Sequence, residues 1–396
     1  MENPKLALIP SGYKSGTVYS ILPTDGVGDF DFSRNTSDTR VNKDGLIETV
    51  NNNVPRLDWL NIDCPSLLLE PTRSNIQIKS EEFQSSFWTK SRTTITANNE
   101  IAPTGELTAD KLTGTGTGTS YVYDGNYLSN GFDYTISIFV KPIINISSFA
   151  INIFGGVGTA YFNLVDKTVN SISGDFTSAK IVDYGNGWLR CIGTLTLSSA
   201  TGTYNIGYGL VNFNGDQFYL FGAQVEQGSY VSSYIKTTSI YATRQLDSCI
   251  NGGDADLFNI TEGTFFVDTT PFESEETDRI TLSNNNYDNR ILISKSSSTQ
   301  LQFIVVSNNS TSLTYTTNIN YNQRNKIIIT FKQNEFKVYL NGLLKYTDTS
   351  GDIPTGLNDF SFKGIGNALY WSGKIHDTRV YDRVLTQDEA IELTTI

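Results

Sequence analysis

The sequence predicts an all-β protein with two β-sandwich domains behind an irregular N-terminal region. Three observations predict it. Phe (22) and Tyr (21) together outnumber Lys plus Arg (29). With Thr, Val and Ile these aromatics favour strands, while Asn, Gly, Ser and Asp supply turns. Period-two segments recur every ~10–15 residues with Gly/Asn turns between them, the pattern of a sandwich or jelly roll. At 396 residues the chain exceeds one ordinary core, so it divides into more than one domain.

Residues 1–78 form the first part. "PTDGVGDF", "NKDGL" and "NNNVPR", followed by Pro65 and Pro71, leave room only for short strands. Phe30, Phe32, Trp59, Leu60 and Leu67 to Leu69 nevertheless need burial, against the neighbouring domain or another chain. Residues 79–243 carry the first sandwich. "YTISIFVK" sets Ile136, Ile138 and Val140 against Thr135, Ser137 and Phe139, and "WLRCIGTLTL" follows the turn "YGNG". "YLFGAQVEQGSYVSSYIKT" closes the block. Strict alternation there puts Leu220, Gly222, Gln224 and Glu226 on one face, and Tyr219, Phe221, Ala223 and Val225 on the other.

Residues 244–396 carry the second sandwich, from "GTFFVDT", "NRILIS", "LQFIVVS" and "NKIIITF". "EFKVYLNGLLKY" reads as a hairpin with a type I′ turn at Asn341-Gly342. "WSGKIHDTRVYD" alternates imperfectly, as a bulged strand does. The chain closes on a helix, "TQDEAIELT", with a capping box between Thr386 and Glu389. Trp59, Trp88 and Trp188 are expected in cores.

The formal charge of −12 argues against nucleic acid and anionic membrane surfaces. No apolar run is long enough to span a bilayer, and "MENPKLALIP" lacks a signal-peptide core. Cys64, Cys191 and Cys249 lie far apart and read as buried free thiols of a reducing cytosol. "GTGTGTS" lacks the lysine and helix of a phosphate loop. His376 is the one histidine, without a nucleophile motif near it, and reads as structural. Glu226 is the carboxylate best placed for glycoside chemistry, but Asp183 and Asp216 sit beside turns rather than across a cleft. Its reading is therefore structural, accepting hydrogen bonds from Arg190, Arg244 or backbone N–H groups. The catalytic set is empty, and the chain reads as a non-enzyme.

Aromatic rings on loops and edges suit sugars. Tyr121, Tyr123 and Tyr127 fall in "SYVYDGNYLSNGFDY", Tyr287 in "NNNYDNR", and Trp371 in "NALYW". These five are the candidate glycan contacts. The competing reading packs them on a sandwich edge or a subunit interface. No cofactor is expected, although "SNNNYDN" offers oxygens for a structural calcium ion.

Three segments resemble modules of tailed-bacteriophage virion proteins. The stretch "FDFSRNTSDTRVNKDGLIETV" through "CPSLLLEPTRSN" (Phe30 to Asn75) resembles the N-terminal region of tail-fibre, head-fibre and minor structural proteins. Residues 79–243, with "SEEFQSSFWTK", "APTGELTADKL", "SIFVK" and "WLRC", resemble carbohydrate-binding-module-like jelly rolls. Residues from about 260 to 396 resemble concanavalin A-like or laminin-G-like sandwiches through "VYLNGLLKY" and "GKIHDTRVYDRVLTQDEAIEL". The resemblance implies a virion location after assembly in the host cytoplasm, an N-terminal region docked on other virion proteins, a homotrimer, and recognition of host-surface polysaccharide. It implies neither nucleic-acid binding nor membrane insertion. A purely structural capsid or tail decoration protein is the alternative, and a polysaccharide depolymerase ranks third.

Overall fold

A computed structural model describes residues 3–116, 118–143, 148–209, 215–258, 261–273, 278–366 and 369–396. Thr117 of the Gly/Thr loop and Asn367 and Ala368 of "NALYW" lie outside the described residues. The fold is all-β, as the composition predicts, with short helices at Ala255–Phe258 and Gln387–Thr394.

The central sandwich stacks two six-stranded antiparallel sheets. The first runs in the order Thr89–Ser91, Tyr121–Leu128, Gly202–Gly209, Ser148–Ile153, Gly158–Asn163, Thr168–Gly174. The second runs Thr93–Ile101, Leu107–Gly114, Gln217–Gln227, Asp133–Ile143, Trp188–Thr196, Phe176–Gly185. Alternation fills the space between them: Val122, Phe149, Ile151, Phe162 and Ile206 meet Ile136, Ile138, Val140, Leu195 and Val225 in one core.

Strict alternation fails at one predicted place. Gly222 takes a φ of +63°, and the register with Asp133–Ile143 slips between Ser137↔Gln224 and Phe139↔Phe221. This bulge sends Leu220 into the core with Ala223 and Val225, whereas the alternating pattern placed it beside Glu226. Gln224 and Glu226 consequently share the outer side with Phe221. There they fasten the returning chain: the Ile235 N–H donates to Gln224 Oε1 (2.7 Å) and the Ser232 N–H to Glu226 Oε2 (3.1 Å).

The C-terminal sandwich pairs an eight-stranded sheet with a five-stranded one. Asn341 and Gly342 adopt φ of +51° and +78°, as a type I′ turn requires. The predicted irregularity in the strand Gly373–Tyr381 is a bulge at His376, since Asp268 pairs with Asp377 and Thr269 with Ile375. The capping box forms, with Thr386 and Glu389 exchanging backbone N–H bonds.

The first seventy-five residues supply strands to this C-terminal sandwich. Leu6–Leu8 pairs with Gly373–Tyr381, as does Ser66–Leu69, which in turn pairs with Leu57–Asp58. Leu6, Leu8, Leu57, Leu67 and Leu69 join its core. Both sandwiches thus bury the apolar content of the turn-rich region, the C-terminal one Phe30, Phe32 and the leucines and the central one Val41 and Ile47. The region's sequence motifs converge on an ion cluster. Arg56 reaches Asp38 (2.5 Å), Glu70 (2.6 Å) and Asp247; Arg34 reaches Asp247 (2.9 Å); Arg244 reaches Glu70 (2.8 Å). Every one of these side chains is at most 2% exposed. Burial raises the Glu70 carboxyl, but Arg244 and Arg56 outweigh it and hold the group far below its usual range. Three cations matched to three anions make the burial tolerable; removing one leaves charge uncompensated.

Of the tryptophans, Trp88 and Trp188 lie in cores, while Trp59 is half-buried. The three cysteines are free, but Cys64 is exposed, contrary to the expectation of three buried thiols, because it sits in the turn before Ser66–Leu69.

Candidate functional site

The two sheets of the central sandwich have different outer sides. On the second sheet, Phe139, Trp188 and Phe221, with Tyr234 of the returning chain packed on them, cluster with Val41 and Ile47 of the N-terminal region. On the first sheet, the outward positions carry a row of rings. Along Tyr121–Leu128 the inward residues include Val122 and Leu128, so Tyr121, Tyr123, Gly125 and Tyr127 point outward. Opposite them stand Gly209, Gly207, Asn205 and Thr203. Ser148–Ile153 adds Ala150 and Asn152, its extension adds Phe154, and Gly158–Asn163 adds Thr159 and Tyr161.

Small residues let these rings lie on the sheet. A Cβ at Gly207 would come within 2.7 Å of the Phe154 ring and 3.2 Å of Tyr121. Phe154 meets Tyr121 edge-on at 5.3 Å and Tyr123 at 5.1 Å. Burial, with Tyr161 beside it, pushes the Tyr121 phenol up to about 12, so it is a neutral hydroxyl at any physiological pH. Amides and hydroxyls frame the rings. Asn152 Nδ2 donates to Thr159 Oγ1 (2.7 Å), and Asn205 and Thr203 are exposed. Flat rings for the C–H faces of sugars, edged by donors and acceptors for their hydroxyls, are the chemistry of a saccharide-binding surface.

Of the five candidate residues, three share this surface. Tyr123 is half-buried and Tyr127 is 64% exposed; Tyr121 is only 7% exposed and forms the floor rather than a contact. Tyr287 sits on the other sandwich, 43% exposed, with its hydroxyl donating to the Ile365 carbonyl (2.5 Å) and Arg290 over its ring. Trp371 leaves the set: it is 1% exposed, inside the C-terminal core, with its indole N–H on Thr269 Oγ1 (3.3 Å). Adjacency to Tyr370 in sequence suggested a loop tip, but the residue lies just ahead of the strand Gly373–Tyr381 with its ring in the core.

Sequence reading missed Phe154, Tyr161, Asn152 and Asn205. The signal was present as glycines inside a strand, "YNIGYG", which mark close approach of another group. Glu226 is 0% exposed, and Ser232 occupies its carboxylate through both N–H and Oγ–H; neither Arg190 nor Arg244 reaches it. Among the described residues, no group of three or more His, Cys, Asp or Glu is placed to hold a metal ion. In the Asn284–Asn289 loop, Asn289 Oδ1 accepts from the Thr355 N–H (3.0 Å) and Asn284 Oδ1 from the Asn286 N–H (3.0 Å). No helix among the described residues is long and apolar enough to cross a membrane.

A second concavity, of about 290 Å³, lies beside the covered sheet between the N-terminal region and both sandwiches. Val41, Tyr184, Tyr234, Lys374 and His376 line it. Burial pushes the His376 imidazole down to about 4, against the nearby Asp268, while Arg324 and Lys374 add to the lowering. His376 shares a hydrogen bond with Thr270 Oγ1 (2.9 Å).

Residues 254–390 match the Concanavalin A-like lectin/glucanases superfamily. No curated protein matches the chain. Among solved structures, the chain is similar to the CBM40 of Ruminococcus gnavus IT-sialidase bound to α2,3-sialyllactose. That match has 18% identity over 35% of this chain and 86% of that one, with a TM-score of 0.30. It is also similar to domain 4 of the arabinanase AbnA from Geobacillus stearothermophilus in complex with arabinotriose (17%, 42% and 82%, TM-score 0.30). A third is the heptameric SAP-like pentraxin of Limulus polyphemus (19%, 33% and 69%, TM-score 0.28). The C-terminal sandwich is therefore a concanavalin A-like, lectin-type jelly-roll domain, set in a chain that is β-structured throughout.

Proposed function

We propose that this chain is a non-catalytic glycan-binding appendage of a bacteriophage virion, and that the Tyr123–Phe154–Tyr161 surface of the central sandwich is where it meets host polysaccharide. The observation that carries the glycan reading is the row of rings lying on glycine and alanine positions, edged by Asn152, Asn205 and Thr203. The lectin-type C-terminal domain supports it. The virion reading rests on the resemblance of the three segments to modules of tailed-bacteriophage proteins, of which Phe30–Asn75 is the most specific. In that reading the chain docks on other virion proteins, assembles in the host cytoplasm as a homotrimer, and gains avidity from repeated weak sites. Binding needs no cofactor and breaks no bond. Ahead of Phe30–Asn75, the exposed apolar side chains of Tyr19, Ile21 and Val27 are the docking contacts in this reading.

The test is a glycan array with the purified chain, followed by titration calorimetry of the best saccharide with wild type, Tyr123→Ala and Phe154→Ala. Loss of binding in both variants with unchanged melting supports the reading. Unchanged binding moves the site elsewhere, and no binding to any host polysaccharide favours a purely structural decoration protein. Release of reducing ends, abolished in Glu226→Gln, would make the chain a depolymerase.

A further inference from the structure

Arg73, from the "EPTRSN" motif, stands apart from the other arginines of the N-terminal region. Arg34 and Arg56 are neutralised in the ion cluster and Arg40 by Glu48 (2.7 Å). Arg73 has no carboxylate partner among the described residues. Its Nη1 reaches only the carbonyl of adjacent Thr72, at a long 3.4 Å, and its Nε is buried with no acceptor. The Nε is closed off against Gly228, so the Nη groups, with one long hydrogen bond between them among the described residues, are what remains for an acceptor from outside.

The guanidinium is nevertheless held in place. It lies over the Tyr230 ring, 5.0 Å from the centroid, and against Gly228, where a Cβ would come within 2.9 Å of Nη2. Gly228 has a φ of +147°, a conformation that L side chains rarely adopt. The ring and the bare backbone form a cradle for the planar group. The groove it lines has a volume of about 920 Å³, and Ser74, Phe132, Asp133, Gln227 and Ser229 line it too. Phe132 is 50% exposed. The Asp133 carboxylate accepts from Thr196 Oγ1 (2.6 Å), so one anion already stands in the groove and restricts where a second can sit.

We propose that this groove, at the seam of the N-terminal region and the central sandwich, binds an acidic saccharide whose sugar carboxylate pairs with Arg73. A carboxylate matches the fork of a guanidinium in two parallel hydrogen bonds, and an ordered fork loses little freedom on pairing. The exposed Phe132 ring offers a surface for the sugar's C–H face, and Ser74, Gln227 and Ser229 offer hydroxyl and amide partners. The site is separate from the ring surface around Tyr123 and stands without it.

The experiment titrates the full chain with trigalacturonate and with its methyl ester, which keeps the sugar and removes the charge. The acid is expected to bind about tenfold more tightly than the ester, with the difference shrinking at high salt. Arg73→Gln is expected to erase the preference, and Arg73→Lys to restore part of it, since an ammonium keeps the charge without the fork. Phe132→Ala weakens both ligands. Tyr123→Ala leaves the acid preference intact, which separates this site from the ring surface. Equal affinity for acid and ester in wild type overturns the proposal whether or not any variant folds, as does a folded Arg73→Gln chain that keeps the preference. A sulfated oligosaccharide that binds more tightly than trigalacturonate overturns the choice of carboxylate.

Discussion

The outer sides of the two central sheets begin from the same material and end differently. Both carry aromatic residues at alternate strand positions. On one sheet the rings interlock, with Phe139 meeting Tyr184 and Tyr234 edge-on at 89° and 87°, and the N-terminal residues Val41 and Ile47 close over them. On the other, Tyr123, Phe154 and Tyr161 remain half-buried and belong to none of the hydrophobic cores among the described residues. An aromatic stripe on a strand therefore marks an apolar face without saying what it meets. The neighbours discriminate. The open side sets its rings on Ala150 and Gly207, with amides at the rim, while the covered side surrounds its rings with further large side chains.

The contrast can be broken most strongly from the covered side. Phe139→Ala should cost about 3–5 kcal/mol of stability, because it opens a cavity at a 0%-exposed side chain. Urea unfolding measures this, and a loss under about 1 kcal/mol would mean that the N-terminal cover does not close in solution.

Acid should act on the covered side next. His376 is held neutral, with a folded pKa of about 4 against an ordinary 6.5. The unfolded chain binds more protons between those values, so this group's contribution is complete above pH 6.5 and is lost as pH falls towards 4. At full size the shift corresponds to about 3 kcal/mol. Unfolding at pH 7, 5.5 and 4.5 should show the decline, and His376→Gln should flatten it; equal slopes in the two chains remove His376 as the cause. Hydrogen exchange should then rise first in the strand around Val41 and the segment around Tyr234, with Tyr121–Leu128 still protected.

The open side should respond in binding rather than in folding. Tyr123→Ala is expected to weaken saccharide binding about tenfold while changing stability by less than about 1 kcal/mol. Calorimetry and thermal melting on the same samples separate the two. The smallest effect belongs to Tyr127→Ala, at a 64%-exposed ring at the end of the row: stability within about 0.5 kcal/mol and binding weakened a few-fold. A larger binding loss there than at Tyr123 would shift the centre of the site towards Thr203 and Asn205.

Much of the architecture is legible in local pattern. The type I′ turn at Asn341-Gly342, the capping box of Thr386 and the bulged strand around His376 follow from residue chemistry that acts over a few positions. The proposed saccharide surface is legible in part. Tyr121, Tyr123 and Tyr127 stand out because one strand carries all three, but Phe154, Tyr161 and Asn205 join them only through cross-strand pairing. Trp371 misled because its neighbours resemble a loop while its side chain enters a core. Gly222 misled because one left-handed residue reverses every side-chain direction after it.

Composition, alternation and turn residues by themselves determined that the chain is β throughout, that the large apolar side chains of the turn-rich beginning had to be buried, and that Glu226 belongs to a fastening strand. Tertiary structure alone decided where that beginning went: Leu6–Leu8 and Ser66–Leu69 pair with Gly373–Tyr381 near the far end of the chain, and Arg34 and Glu70 find their partners Asp247 and Arg244 213 and 174 residues away. The reason is physical. Backbone and turn preferences are local, whereas a buried charge or an exposed ring acquires its meaning from whatever the fold sets opposite it.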